Sequence, residues 1–142
     1  MVDLEAIFPR LAFSSYTVTS PATQDYNCIA WAAGETRRWW WPDTAGLRYW
    51  PADVPREETL SAFRSLFASL GYAECDGDLP EAEFEKIAVF AIDELPQHAA
   101  RQLANGRWTS KLGELDDVEH DLRDLEGVEY GAVVLIMKRL LV

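Results

Sequence analysis

Cys28 stands where a polar run, Gln24-Asp25-Tyr26-Asn27, meets an apolar one, Ile29-Ala30-Trp31-Ala32-Ala33, that closes on Gly34. The pattern predicts a loop that delivers a thiol to the first turn of a short buried helix. Unpaired N–H groups and the partial positive charge of a helix start favour thiolate over thiol. A cysteine so placed is a candidate nucleophile for acyl transfer. The alternative is a small buried hydrophobe, because free cysteine is among the most buried residue types. A nucleophilic thiol needs a base within hydrogen-bond reach. The chain offers two histidines, His98 and His120. His98 opens an expected strand after Pro96, so its ring can project at a sheet edge. His120 falls off the apolar stripe of an expected helix, between Asp116 and Asp124, and reads as a solvated histidine. Cys28 and His98 are therefore the expected reacting pair. The oxyanion would be held by the Cys28 N–H and a donor from Gln24, Tyr26 or Asn27.

The elements that must position these groups follow from periodicity and punctuation. Residues 1–27 lack helical spacing and carry Pro9 and Pro21, which predicts extended segments and turns. A short helix runs from Cys28 to about Ala33, with Gly34 as its C-cap. Residues 35–56 form an aromatic connection punctuated by Pro42, Gly46, Pro51 and Pro55. Its Trp39-Trp40-Trp41 run reads either as a lid packed over the helix or as a wall of a substrate cleft beside Arg37, Arg38 and Arg48. Asp53 or Thr59 opens a helix carrying Leu60, Phe63, Phe67 and Leu70 inward, with Pro55 in its first turn and Gly71 at its end. Lys86–Ile92 reads as a buried strand ended by Pro96. His98–Leu103 and Arg107–Leu112 read as a hairpin around Asn105-Gly106, and residues 116–126 as an amphipathic helix. Tyr130–Leu141 closes the chain as a long strand. The order predicts a single α+β domain over residues 1–142, with N-terminal helices packed on an antiparallel sheet.

Composition narrows the function classes. The net charge of −11 weighs against nucleic acid and anionic membrane surfaces. Acid is concentrated at residues 114–126, which makes that expected helix a candidate docking surface for a protein partner. Two cysteines make no disulfide framework, although a Cys28–Cys75 bridge stays open, and with two histidines they lack zinc-site spacing. No metal or cofactor is expected. No apolar run approaches the ~20 residues of a membrane span, and Met1–Arg10 lacks a signal-peptide pattern. Cytoplasm is the expected compartment, with export by a specialised route left open.

The hairpin and the cysteine together resemble papain-like cysteine hydrolases of the NlpC/P60 type. In that family a cysteine starts a helix, an apolar strand follows, and a histidine leads a hairpin turned by Asn-Gly. Here the matching pieces are residues 26–34, Glu85-Lys86-Ile87-Ala88-Val89-Phe90, and His98-Ala99-Ala100 through Asn105-Gly106-Arg107-Trp108-Thr109-Ser110. The resemblance implies a papain-like fold with Cys28 as nucleophile, His98 as base and Ser110 in the third, polar position. It departs from the family pattern in Asn27 and Ile29, which stand where Asp and Ser or Thr are usual. Hairpin register decides the third group. A two-residue turn brings Lys111 opposite Ala100, whereas a three-residue loop returns Ser110 to the His98 face; His120 and Gln102 are further candidates. Trp31, Trp40, Trp108 and Lys111 complete the residues expected to meet a substrate. The chain also resembles a group of bacterial proteins without established activity. They share Tyr-Asn-Cys-x-x-Trp-Ala (Tyr26–Ala32), Trp-Trp-Pro (Trp40–Pro42), His-Ala-Ala (His98–Ala100), Trp-x-Ser-Lys-x-Gly (Trp108–Gly113) and Met-Lys-Arg (Met137–Arg139). Two function classes follow: a thiol hydrolase or acyltransferase acting on an amide or ester, or an inactive binding module such as an immunity- or inhibitor-type partner.

Overall fold

A seven-stranded antiparallel sheet organises the molecule, in the spatial order β1-β6-β5-β4-β3-β7-β2. The computed structural model describes residues 3–141. Its strands are β1 (Thr17–Ser20), β2 (Ala73–Glu74), β3 (Phe84–Ile92), β4 (Leu95–Gln102), β5 (Trp108–Lys111), β6 (Asp117–His120) and β7 (Ala132–Leu140). The helices are α1 (Leu4–Ile7), α2 (Cys28–Ala32) and α3 (Leu60–Ser69), with 3-10 turns at Pro9–Phe13 and Leu122–Leu125. Among the described residues no helix is long and apolar enough to cross a membrane, and no group of three or more His, Cys, Asp or Glu side chains is placed to hold a metal ion.

Alternation along β3 and β4 sends side chains to two separate cores. Ile87, Val89 and Ala99 face α2, α3 and the aromatic connection, where Phe63, Leu66 and Phe67 are fully buried. Ala88, Phe90 and Ala100 face the opposite way, against Leu4, Phe8 and Leu11 of the N-terminal segment and Leu122 and Leu125. The sheet is thus the middle of three layers. Each fully buried Leu or Phe in these cores contributes about 1.5–3 kcal/mol of transfer free energy.

The cysteine helix, α3, β3, the hairpin around Asn105-Gly106 and the last strand stand near their expected positions, and other segments differ for local reasons. Thr59, not Asp53, caps α3, its side chain accepting from the Ala62 N–H, and Pro55 lies outside the helix with its carbonyl taking the Trp50 Nε1–H. Residues 1–27 contain α1 and a 3-10 turn in addition to β1; α1 is one turn long, too short to show periodicity. Pro96 does not end the apolar strand. The chain reverses at Asp93-Glu94, both at positive φ, and β4 starts at Leu95 with Pro96 inside it. Residues 116–126 form no helix but β6 followed by a 3-10 turn. Cys28 and Cys75 are both free thiols: Cys28 stands on α2, which packs on the central strands β4 and β5, while Cys75 follows β2 at the sheet edge.

Candidate functional site

Asn27 builds the start of α2. Its Oδ1 accepts from the Ala30 N–H at 3.2 Å, the side-chain cap expected of Asn before a helix. The same oxygen accepts from the Trp40 N–H at 3.0 Å, and Nδ2 donates to the Trp40 carbonyl at 2.9 Å. One buried amide thus joins the cysteine helix to the aromatic connection. The helix closes in a Schellman motif, Glu35 N–H to the Ala30 carbonyl and Gly34 N–H to the Trp31 carbonyl, which needs the φ of +90° that Gly34 adopts.

β4 and β5 are joined by a three-residue loop, with the Leu103 N–H donating to the Arg107 carbonyl at 2.7 Å and Arg101 opposite Thr109. This register returns Ser110 to the His98 face, as the longer of the two loop readings requires. Pairing stops at Arg101, so the N-terminal half of β4 has no β5 neighbour. Pro96, which lacks an N–H, is tolerated on that unpaired stretch. The start of α2 meets this opening, where the Ala99 N–H is one of the groups directed at the Cys28 thiol.

Burial pushes the Cys28 thiol up to about 11, against the opposing pull of the Ala99, Ile29 and Cys28 N–H groups and the Lys111 ammonium. The expected low thiol pKa is therefore not found. Four favourable partners do not offset the cost of a thiolate in a site this dry. Cys28 is 5% exposed, and it lines a cavity of about 400 Å³ with Asn27, Gln97, Trp39, Trp41 and Tyr130. Asp43, Leu47 and Arg48 stand at the same cavity. Asp43 accepts from the N–H groups of Leu47 and Arg48, which fixes that rim as a turn.

His98 is fully buried. Its ring stacks on Tyr130 with centroids 4.1 Å apart and planes 8° apart, and Phe90 meets its edge at 5.2 Å. Nε2 lies 2.9 Å from Ser110 Oγ, while Nδ1 is buried without a hydrogen-bond partner. Burial, followed by the neighbouring His120, holds the His98 pKa well below the ordinary histidine value. Ser110 Oγ is also 2.8 Å from His120 Nε2, and His120 Nδ1 is 2.7 Å from the Asp121 carbonyl. His120 is accordingly a buried strand residue rather than a solvated helical one. Tyr130 bridges the two halves: it stacks on His98, lines the Cys28 cavity, and has its phenol pushed up by burial and then by the proximity of Cys28. It is presented by a loop in which Gly127 and Gly131 exchange both backbone hydrogen bonds, at 2.9 and 2.8 Å. A Cβ on Gly131 would sit 2.1 Å from the Ala91 carbonyl oxygen, so only glycine brings that loop so close to β3.

Several expected substrate contacts are instead structural. The Tyr26 hydroxyl donates to Asp117 Oδ2 at 2.6 Å, and the Asn27 amide is committed to Trp40 and the helix cap. Gln24 has an exposed side chain, and only its carbonyl is engaged, by Trp39 Nε1 at 2.6 Å. Trp40 is buried with its indole N–H on Glu35, and Trp108 is buried on the far face of the sheet. Trp31 pins α2 to β5 by donating to Thr109 Oγ1 at 3.2 Å. Lys111 is fully buried and donates to the Gly113 and Leu115 carbonyls, so it acts near Cys28 as a fixed positive charge and does not line the cavity. Gln102 donates to the Asp78 carbonyl at 2.7 Å, away from His98. Sequence reasoning missed Tyr130 and Gln97. An aromatic bracketed by Gly127 and Gly131 was the available signal for the first. For the second there was none, because the β3–β4 register shifts at Gln97, an irregularity that strand alternation does not foresee.

A family model described as "Domain of unknown function (DUF7689)" matches residues 17–138, from the first strand to the last. No curated protein and no solved structure matches the chain.

Proposed function

The chain belongs to this family of unknown function, and from its geometry we propose that it is a papain-like thiol hydrolase or acyltransferase acting on an amide or ester with an apolar acyl group. The observation that carries this reading is the bare Nδ1 of His98. It is a buried imidazole nitrogen with no partner, on a ring whose other nitrogen is held by Ser110. The residue after His98 directs its N–H at a thiol on the first turn of a helix. Buried polar atoms are almost always paired. Among the described residues His98 Nδ1 is one of three side-chain exceptions, with the Tyr72 hydroxyl and Asp117 Oδ1. It is the imidazole base adjoining Ala99, whose N–H faces the thiol, so a proton arriving during reaction accounts for it.

The resting pair is neutral on both sides, a thiol raised to about 11 and an imidazole lowered by burial. Attack then proceeds with general-base assistance rather than from a preformed ion pair. Cys28 Sγ bonds to the carbonyl carbon and its proton passes to His98 Nδ1. The thiol does not hydrogen-bond that nitrogen in this structure, so the transfer requires the two groups to close up, or a water to bridge them, when substrate binds. The oxyanion is received by the N–H groups of Cys28 and Ile29, which the Asn27 cap leaves free. Gln97, at the cavity, supplies a further amide donor once its 3.1 Å bond to the Leu95 carbonyl is released. The imidazolium gives its proton to the leaving amine or alcohol, and water or a second nucleophile then cleaves the thioester. Trp39, Trp41, Leu47 and Tyr130 make the cavity walls largely apolar, which suits an aliphatic or aromatic acyl group.

Incubation with a thioester of an aromatic carboxylic acid, followed by peptide mass analysis, tests the proposal. An acyl adduct on Cys28 that needs His98 is expected; equal labelling of Cys28 and Cys75, unchanged by His98→Ala, would overturn it. The binding-module alternative loses its docking helix, since residues 116–126 are not helical. Arg107 pairs with Glu119 and Asp121 there, and Glu126 with Arg10 and Arg123.

A further inference from the structure

The polar chain behind His98 is directional, and its direction is set at the far end. The Asp121 carbonyl can only accept, so His120 Nδ1, 2.7 Å away, must carry a proton. Burial lowers the His120 pKa, and in a neutral imidazole only one nitrogen carries hydrogen. His120 Nε2 therefore accepts, and its 2.8 Å contact is the Ser110 hydroxyl donating to it. With its one proton spent, Ser110 Oγ can only accept from His98 Nε2 at 2.9 Å. That places the His98 proton on Nε2 and leaves the lone pair on Nδ1, the nitrogen that has no partner. The tautomers follow from the hydrogen-bond network as a whole.

We propose that His120, anchored by the Asp121 carbonyl, is a positioning residue that fixes the His98 tautomer through Ser110 and so leaves Nδ1 free to act as a base. The assignment of tautomers stands on the hydrogen bonds alone; its catalytic consequence rests on the thiol-hydrolase reading above. Ser110 by itself does not suffice, because a hydroxyl can donate to His98 Nε2 as readily as it accepts from it. A rotor pointing the wrong way would hold the His98 proton on Nδ1 and disable the base. His120 removes that freedom. Apolar side chains around the chain, Phe90, Tyr130 and Leu125 among them, keep out water that would offer the hydroxyl another partner.

The test is long-range proton–nitrogen correlation spectroscopy on the full chain labelled with nitrogen-15 histidine. The expected result at neutral pH is His98 protonated at Nε2 and His120 protonated at Nδ1. His98 protonated at Nδ1 in the unaltered chain would overturn the proposal without any variant. In His120→Leu the His98 signals should move to a mixture of tautomers, and alkylation of Cys28 by a haloacetamide should slow about tenfold. His120→Gln, whose amide can both accept from Ser110 and donate onward, should restore the single tautomer. An unchanged His98 tautomer in a folded His120→Leu chain would also sink the idea. If the tautomers are as stated and Cys28 forms no acyl adduct, the hydrolase reading falls while the role of His120 in orienting His98 stands.

Discussion

Across β4 the thiol side and the imidazole side of the sheet are packed in different ways. On the Cys28 side the core is continuous with a cavity of about 400 Å³ whose walls come from a long, turn-rich connection. On the His98 side the polar groups are in file, His98, Ser110, His120 and the Asp121 carbonyl, inside an apolar box. The contrast separates two requirements of acyl transfer. The nucleophile must be reached by a molecule of variable shape, so its surroundings must leave room. The base needs one protonation pattern, and a dry chain paired at every polar atom behind the reacting nitrogen holds one.

The contrast can be broken from either side, and the largest effects are expected where the two meet. Cys28→Ala should abolish acyl-adduct formation, and His98→Ala should slow it by about 10²–10⁴-fold, the usual worth of a general base; acylation rates by mass spectrometry check both. Next comes Asn27→Ala, which removes a helix cap worth about 1 kcal/mol and leaves the Trp40 backbone groups unpaired at a further ~1–3 kcal/mol. Denaturant melting should report a loss of ~2–4 kcal/mol. A smaller effect is confined to the imidazole side. Both buried histidines have lowered pKa values, so the unfolded chain binds more protons once pH falls below the free histidine value of about 6.5. Stability is then fully present above that pH. It should decline as pH falls towards the folded-state values, by up to about 1.4 kcal/mol per pH unit for each histidine. Melting in a pH series, with His120→Gln showing roughly half the slope, measures it. The smallest effect belongs to the cavity wall. Trp39→Ala should raise KM for an apolar acyl substrate about tenfold, the worth of one or two buried methylenes, and leave kcat unchanged. A fall in kcat instead would mean that the wall reaches into the reacting geometry.

How far the site was legible depends on how local its signals are. The cap-then-apolar pattern at Asn27-Cys28 specifies a helix start within a few residues, and the Asn105-Gly106 turn specifies a hairpin, so Cys28 and His98 could be singled out from spacing, whereas Ser110 came in only through the family resemblance. The register was readable only as two alternatives, because the turn dipeptide does not say whether Ala104 belongs to the loop. His120 was misread for a physical reason. Val118, Leu122 and Leu125 fit a helical stripe, yet Leu122 and Leu125 belong to a 3-10 turn after a four-residue strand, and two short elements in succession mimic one amphipathic helix. The thiol pKa was misjudged because the sequence shows both a helix start and a buried segment, and which of the two governs the thiol is set by packing that spacing does not reveal. The tryptophans divided between wall and core by tertiary packing alone: Trp39 and Trp41 line the cavity, whereas Trp40, between them, is buried.

The Asn27 amide has a consequence for how such a protein changes over generations. It holds the first turn of the thiol helix with one oxygen and the Trp40 backbone with the same oxygen and its nitrogen. Selectivity and reactivity are usually adjusted by separate mutations in separate places. Here a shift of the loop near Trp40 tugs on the turn that carries the sulfur, so new substrates should be gained through the side chains of Leu47 and Arg48, at the tip of the connection and away from the cysteine helix, rather than near its root at Trp40. Lineages of this family should therefore vary at the tip and stay fixed at the root, and a library randomised separately at the two positions would show that asymmetry directly.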